Sequence, residues 1–257
     1  MFNDYLKVIN HIMKISQEQK KENRLKLIRA MTDLVIENKG SVTMRAVARR
    51  AGVADATIYN YFPTKEAIFF AYYEDHVNDV INQLVAMETF HTFSLQEQLQ
   101  TLFDTSLGLY LPDREFVAVT FKKVWLAGSG DFARFRKVRS GFLAAVNDII
   151  AAAEEAGEIP GQVFQDLTRQ FFADAYIAVV LYWLADDSDT FKNTDVLMDQ
   201  GLDLACALLK AGVANKLFDM AVFLFKQHVL TRMSRFSPIE KADIKPKRPF
   251  MGGQNGR

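Results

Sequence analysis

Helical periodicity extends over almost the whole chain and strongly limits the folds it can adopt. Apolar residues recur three and four positions apart, as on one face of a helix, and no run follows the two-residue alternation of strands. Pro63, Pro112 and Pro160 precede such runs, where the fixed φ of proline suits a first helical turn. The sequence therefore predicts an all-α fold, with helices near 24–39, 43–50, 55–61, 64–89, 94–110, 113–127, 131–156, 161–186, 191–211 and 214–235.

Two terminal segments lie outside this pattern. In the first 20 residues, apolar side chains at helical spacing predict an additional amphipathic helix. From Ser237 onward the chain is rich in proline, glycine and charge, a composition that is typical of a flexible tail.

The segment Ser41–Glu66 has the spacing of a helix-turn-helix unit. Val47 and Ala48 give one short helix an apolar face, and Ile58 belongs to the facing surface of a second. Between them, Ala51-Gly52-Val53 predicts a tight turn, because glycine adopts a positive φ without strain. Such a unit holds its second helix so that the polar face can enter the major groove of DNA.

From about Arg24 to Phe70 the chain resembles the N-terminal DNA-binding domain of the TetR family of transcriptional regulators. The resemblance rests on Val42-Thr43-Met44-Arg45-Ala46-Val47-Ala48, Ala51-Gly52-Val53, Thr57-Ile58-Tyr59-Asn60-Tyr61-Phe62 and Pro63-Thr64-Lys65-Glu66. It implies an N-terminal extension at 1–22, a three-helix helix-turn-helix domain at 23–70, a larger helical ligand-binding and dimerisation domain at 71–236, and a basic flexible tail at 237–257.

The resemblance also implies DNA contacts for individual residues. Thr43 would cap the second helix and offer its hydroxyl to a phosphate. Arg45, at the same helix end, would reach a phosphate or a base edge. Tyr59 and Lys65 match the family's phosphate contacts, which position the protein on the duplex without reading its sequence.

The third helix carries the positions that would read bases. Thr57 and Asn60 lie on its exposed side, and both side chains can reach base edges. The family commonly opens this helix with a serine, a cationic or polar residue and a glycine, whereas this chain has Ala54, Asp55 and Ala56. Asp55 has two open interpretations: it caps the helix, or it accepts a hydrogen bond from a cytosine amino group.

The middle of the chain is dense in aromatic residues, and the resemblance implies an inducer pocket there. The predicted cavity is mostly apolar, lies among the helices near 94–127, 131–156 and 161–186, and binds a small ligand that a few polar groups orient. The candidate lining residues are Phe121, Trp125, Phe142, Asn147, Phe172, Asp174 and Tyr176. The alternative interpretation of such an aromatic stripe is plain hydrophobic core.

The last two long helices, near 161–186 and 191–211, correspond to those that form the dimer interface of the family. Small and aliphatic side chains there allow close helix approach. The candidate contact residues are Ala173, Ala178, Val179, Gly201, Leu202, Ala205, Ala207 and Leu209. A homodimer would read both half-sites of a palindrome, which one helix-turn-helix cannot do.

Other classes of function find little support in the sequence. Cys206 is the single cysteine, and His76, His91 and His228 lack the spacing of a metal site, so we expect neither a metal nor a cofactor. No nucleophile or acid–base set argues for an all-α enzyme, which is the weaker alternative. The stronger alternative, motivated by Ala54 and Asp55, is a ligand-binding helical protein that has lost specific DNA reading.

The net charge of zero hides an uneven distribution. Residues 1–76 contain 12 basic and 9 acidic side chains, residues 77–215 contain 10 and 19, and residues 216–257 contain 9 and 3. A local positive field at the N-terminal domain suits double-stranded DNA. Because no signal peptide or membrane-spanning run is recognisable, we expect a cytoplasmic protein without a membrane partner. The resemblance implies a repressor that binds a palindromic operator and is released by a small-molecule inducer.

Overall fold

The computed structural model describes residues 2–125 and 132–224. Within these ranges it contains ten α-helices and no strand, which confirms the predicted all-α fold. The helices are α1 (Phe2–Glu37), α2 (Met44–Arg50), α3 (Ile58–Tyr61), α4 (Lys65–Ala86), α5 (Leu95–Tyr110), α6 (Arg114–Trp125), α7 (Phe132–Glu155), α8 (Gln165–Ala185), α9 (Lys192–Lys210) and α10 (Val213–Leu224). We call α1–α3 the head and α5–α9 the body.

The first helix is longer than the sequence predicts. α1 joins residues 2–22 of the predicted extension and the predicted first helix of the head into one helix of 36 residues. No glycine or proline interrupts Phe2–Glu37, so no backbone feature ends the helix earlier. Residues 2–22 are therefore the first turns of a helix that continues into the head.

A small apolar core holds the three helices of the head together. Leu27 and Met31 of α1, Val47 of α2 and Ile58 of α3 are fully buried. Gly52 takes a φ of +71° in the turn between α2 and α3, a conformation that favours glycine. The predicted helix-turn-helix is thus confirmed.

Two helices begin later than predicted, because the residues before them have other partners. α3 begins at Ile58, and Thr57 occupies the N-cap position without a side-chain capping bond. α8 begins at Gln165. In the preceding segment the amide of Gln162 donates to the carboxylate of Glu154 at 2.9 Å, a contact with α7 that a helix starting at 161 would not make.

α4 connects the head to the body. The hydroxyl of Thr64 caps its N-terminus by accepting a hydrogen bond from the amide of Ala67 at 3.2 Å. The helix packs most extensively against α7 and α5, and it also contacts α1 and α6. Its approach to α7 is close, since a Cβ added at Gly141 would lie 3.0 Å from Cγ1 of Val77.

The two predicted interface helices bury part of the surface that the sequence assigns to a dimer. Ala173, Val179, Leu202 and Ala205 belong to the core of the protomer. Other apolar side chains of α8 and α9 remain exposed. They include Leu167, Phe171, Tyr182, Val196, Leu197, Leu204 and Leu208.

The C-terminal part of the chain forms a unit of its own. The described residues 214–224 belong to a unit separate from residues 2–213, and on α10 the side chains of Leu217, Met220 and Phe223 are more than half exposed. The predicted helical residues 126–127, 131 and 225–235 and the predicted tail at 237–257 lie outside the described residues. None of the described helices is long and apolar enough to cross a membrane.

The close contact between α4 and α7 gives a first prediction. Gly141→Val should lower the free energy of unfolding by about 1–3 kcal/mol, because the added side chain overpacks the contact with Val77. Gly108→Ala is the matched control, since a Cβ at Gly108 of α5 meets nothing within 4 Å. It should stabilise the protein by about 0.5–1 kcal/mol. Denaturant unfolding measures both changes, and an unchanged midpoint for Gly141→Val would contradict the contact.

Candidate functional site

The head presents one polar surface built from α2, α3 and the first turn of α4. Thr43 caps α2 as predicted, its hydroxyl accepting from the amide of Ala46 at 3.2 Å. Tyr59 is 56% exposed and Asn60 is exposed beside it on α3. Lys65, also exposed, is the first residue of α4. The helix-turn-helix therefore presents most of the predicted DNA-binding side chains to solvent, and only Thr57 is partly buried.

Asp55 forms an ion pair across the helix-turn-helix. Its Oδ2 lies 2.9 Å from Nε of Arg45, and the two side chains are 54% and 75% exposed. Asp55 does not cap α3, so the capping interpretation is not what the structure shows. The pair instead holds a predicted phosphate-binding arginine against a carboxylate, which reduces the positive field beside α3.

Ion pairs and a hydrogen bond fasten the head to α4 and the body. Nη1 of Arg24 on α1 lies 2.6 Å from Oδ2 of Asp75 on α4. Nη1 of Arg29 lies 3.1 Å from Oδ1 of Asp113, whose other oxygen accepts from the Tyr72 hydroxyl at 3.2 Å. Burial and the neighbouring Asp113 carboxylate raise the pKa of Tyr72, so this hydroxyl stays a donor. These contacts join groups that are 41 to 84 positions apart, and no local sequence signal predicts them.

The interior of the body contains most of the predicted pocket residues. Phe121, Trp125, Phe142 and Tyr176 are at most 3% exposed. Their rings form one cluster: Phe121–Trp125 and Trp125–Tyr176 centroids are 5.6 Å apart, and Phe142 stacks on Tyr176 at 4.2 Å. Phe172 is also buried, but it lines a separate apolar cleft between α5, α8 and α9.

The two polar candidates for the pocket lie elsewhere. Asp174 is exposed on α8, where it pairs with Arg139 at 3.2 Å and accepts from Gln170. Asn147 is partly buried and accepts from Nη1 of Arg169 at 3.1 Å. Neither residue has a described contact with the aromatic cluster.

A chain of hydrogen bonds that the sequence did not predict crosses the interior instead. Nε2 of His76 on α4 lies 2.8 Å from Oγ of Ser106 on α5, which lies 2.7 Å from the Tyr176 hydroxyl of α8. That hydroxyl donates to Tyr110 at 3.3 Å. Because Tyr176 donates onward, it accepts a hydrogen bond from Ser106, which therefore accepts one from the Nε2–H of His76.

The chain consists of uncharged groups. Burial lowers the pKa of His76 to about 3, so the imidazole is neutral near pH 7. Burial also raises the pKa of Tyr176 to about 12. The narrow cleft lined by His76, Ser106, Phe142 and Tyr176 has no space wide enough for a water molecule. His76 also lines an open cleft of about 300 Å³ between α1 and α4. On the Tyr176 side the interior is closed, and its polar groups are uncharged.

Comparison with known proteins assigns the chain to a family. Residues 39–72 match the family model "Bacterial regulatory proteins, tetR family", and residues 98–224 match "Tetracyclin repressor-like, C-terminal domain". The chain belongs to the TetR family. Because the two matches cover the helix-turn-helix and most of the body, this TetR-family protein is a DNA-binding transcriptional regulator.

Individual proteins of similar sequence or structure support this family assignment. The fatty acid metabolism regulator protein of Bacillus subtilis (strain 168) is 23% identical over 200 residues, which cover 77% of this chain and 100% of that protein. The structure of FadR from Bacillus subtilis in complex with stearoyl-CoA has a TM-score of 0.56 at 23% identity and covers 73% of this chain and 98% of its own. Thermus thermophilus FadR, a TetR-family repressor in complex with lauroyl-CoA, has a TM-score of 0.53 at 22% identity, with 74% and 94% covered.

The Arg45–Asp55 pair predicts that Asp55 weakens DNA binding by this TetR-family regulator. Asp55→Asn should raise the affinity for any duplex about two- to fivefold, because it frees Arg45 for phosphate. The slope of log affinity against log salt concentration should become steeper by about one, which corresponds to the release of one additional counterion. Fluorescence anisotropy at several salt concentrations measures both quantities, with Asp199→Asn on α9 as the control. An unchanged salt slope would show that Arg45 does not contact phosphate.

The buried His76 predicts a dependence of stability on pH. Its pKa in the folded protein, about 3, lies below the ordinary value of 6.5, so below pH 6.5 the unfolded chain binds a proton that the folded chain does not. Stability should therefore fall by about 1.4 kcal/mol per pH unit through this group as pH decreases from about 6 to 4.5.

His76→Gln should remove that part of the slope, whereas His91→Gln, at an exposed site, should keep it. Urea unfolding at several pH values compares the three proteins. Equal slopes for wild type and His76→Gln would mean that the imidazole is protonated in the folded state.

Proposed function

We propose that the protein is a homodimeric repressor that binds a palindromic operator and is released by a fatty acyl-CoA. The observation that carries the proposal is the course of α4. Its first residue, Lys65, lies on the DNA-binding surface of the head, and the same helix places His76 in the hydrogen-bond chain of the interior. A ligand that opens the interior therefore acts on the helix that positions the head.

The DNA contacts divide into two classes. Thr43, Tyr59 and Lys65 contact phosphates and fix the orientation of the head. Thr57 and Asn60 face the bases of the major groove, where asparagine pairs with adenine through two hydrogen bonds. The exposure of Thr43, Tyr59, Asn60 and Lys65 supports this division, whereas Thr57, at the N-cap of α3, is partly buried.

The exposed apolar surface of α8 and α9 supports a homodimer. Leu167 and Leu204 are 65% and 61% exposed, and Phe171 and Leu197 line an open apolar cleft of about 180 Å³. A second copy of the chain would bury these side chains in a two-fold interface. Two heads then read two half-sites at a fixed separation.

The chemistry of the interior suits an acyl thioester. Clustered aromatic side chains favour an alkyl chain, while the neutral hydrogen-bond chain from His76 to Tyr110 suits an uncharged carbonyl group. FadR of Bacillus subtilis and of Thermus thermophilus, which this chain resembles in fold, were solved with stearoyl-CoA and lauroyl-CoA. These are the ligands that we extend to this protein.

Release follows from the closed interior. The narrow cleft at Ser106 and Tyr176 excludes even water. A ligand must therefore move α4 away from α5 and α8 before it enters. It binds the resulting open form more tightly than the closed one. DNA prefers the form in which the two heads have the operator spacing. By linkage, ligand and DNA weaken each other's binding by the same factor.

A footprinting experiment tests the proposed function. On the DNA upstream of the protein's own gene, we expect protection of two symmetric half-sites, which strengthens as salt decreases. Lauroyl-CoA should weaken operator binding by at least about tenfold, within the usual range of allosteric coupling. Leu204→Asp should give a monomer in sedimentation and lose the symmetric footprint.

Val85→Asp is the matched control for the dimer, because Val85 is 80% exposed on α4 and lines a cleft with residues of α5 and α7 rather than of α8 or α9. It should leave the mass and the footprint unchanged. Protection of a single half-site by a monomer would refute the dimer. Operator binding that no acyl-CoA weakens would refute the ligand, and loss of specific protection at every salt concentration would refute DNA reading.

A further inference from the structure

The body is acidic except in two neighbouring stretches of the sequence, the end of α6 and the start of α7. Residues 122–139 contain six basic side chains and one acidic one, whereas the rest of residues 77–215 contains four basic and 18 acidic ones. We call Lys122, Lys123, Arg136 and Lys137 the basic cluster. Positive charge concentrated in this way within an acidic domain produces a local field that attracts anions.

Most of the basic cluster is available to a ligand. Lys122, Lys123 and Arg136 are exposed, and no carboxylate pairs with them among the described residues. Lys137 differs, because its Nζ lies 2.5 Å from Oε1 of Glu74 on α4. The cluster thus combines three unpaired cations with one that is attached to the helix connecting head and body.

Both halves of the basic cluster are close along their helices to aromatic residues of the interior. Trp125 follows Lys123 by two residues, and its ring lies 6.4 Å from that of Phe142, which is six residues after Arg136 on α7. Six residues of helix span about 9 Å. A molecule whose apolar part lies among these rings can therefore place a charged part at the basic cluster.

Trp125 supplies a second, independent sign of a missing ligand. Its side chain is 3% exposed, and its Nε1–H has no hydrogen-bond acceptor among the described residues. A buried donor without an acceptor destabilises the folded protein, and a ligand carbonyl oxygen would satisfy it.

DNA is the less suitable anion for the basic cluster. Lys137 contacts Glu74, nine residues along α4 from the predicted phosphate contact Lys65. That separation corresponds to about 13.5 Å along the helix, away from the DNA-binding surface. A small anion attached to an apolar chain fits the position better than the duplex does.

We propose that the basic cluster binds the phosphate groups of the acyl-CoA whose acyl chain enters the aromatic interior. This inference rests on the proposed function. It gives a binding site to the phosphate groups, which the apolar interior cannot hold. Phosphates attract Lys122, Lys123 and Arg136 in solution, and Lys137 transmits the contact to α4 through Glu74.

The test compares lauroyl-CoA with lauroyl-pantetheine, which lacks the phosphate groups together with the adenosine that they flank; the salt dependence isolates the part that the phosphates contribute. The wild-type protein should bind lauroyl-CoA at least about tenfold more tightly at low salt, since several exposed ion pairs together supply such a difference. The triple variant Lys122→Gln, Lys123→Gln, Arg136→Gln should bind both ligands equally. Lys192→Gln, at an exposed site on α9, is the control and should keep the difference. Calorimetry measures the affinities at low and high salt, and the preference for lauroyl-CoA should shrink as salt rises.

Each of the other possible outcomes refutes a distinct part of the two proposals. Equal binding of the two ligands by the wild type, with both releasing DNA, refutes the basic cluster and leaves the proposed function intact. A triple variant with weakened DNA binding and unchanged ligand preference assigns the cluster to DNA. If neither ligand binds or releases DNA, the acyl-CoA assignment and the inference that rests on it are both wrong.

Discussion

One turn of α4, from Tyr72 to His76, connects almost every part of the molecule. Asp75 pairs with Arg24 of the head, whereas the next residue, His76, enters the hydrogen-bond chain of the interior. Tyr73 bonds Thr120 of α6 at 2.8 Å on a third side of the same turn. Because consecutive helical residues point about 100° apart, these contacts leave the helix in different directions. A displacement of this turn therefore cannot stay local.

The turn is held by neutral groups on the inside and by charged groups on the outside, and this division has a physical cause. The pair between Arg24 and Asp75 is partly exposed, where water screens both charges and reduces what each pair contributes. His76 and Tyr73 are buried, where an ion would be costly and a hydrogen bond between neutral groups is not. A closed interior of this kind opens without having to neutralise a buried charge.

The sequence predicted the features that depend on neighbours along the chain. The cap formed by Thr43 and the turn at Gly52 follow from short-range backbone chemistry, and the burial of Phe121 and Phe142 follows from helical periodicity. The partner of Asp55 did not follow, because Arg45 belongs to another helix and meets Asp55 only after α2 and α3 pack.

The hydrogen-bond chain was beyond sequence reasoning for the same reason. His76 and Ser106 are 30 positions apart, and Ser106 and Tyr176 are 70 apart. Periodicity indicates that a residue is buried but not which buried residue it meets. Asp174 illustrates the converse error, since a polar residue near an aromatic stripe can lie on the opposite side of its helix.

Charge acts in this protein through its local distribution. Arg45 would add to the field of the head, but Asp55 cancels much of it at short range, so contacts elsewhere on the surface must supply the affinity for phosphate. In the body the opposite holds, since a basic cluster remains uncancelled within an acidic domain. Like charges repel the DNA backbone from most of the body, while the cluster still attracts small anions. If the proposals hold, a chain with no net charge uses one basic region for its duplex and a separate one for an anionic ligand.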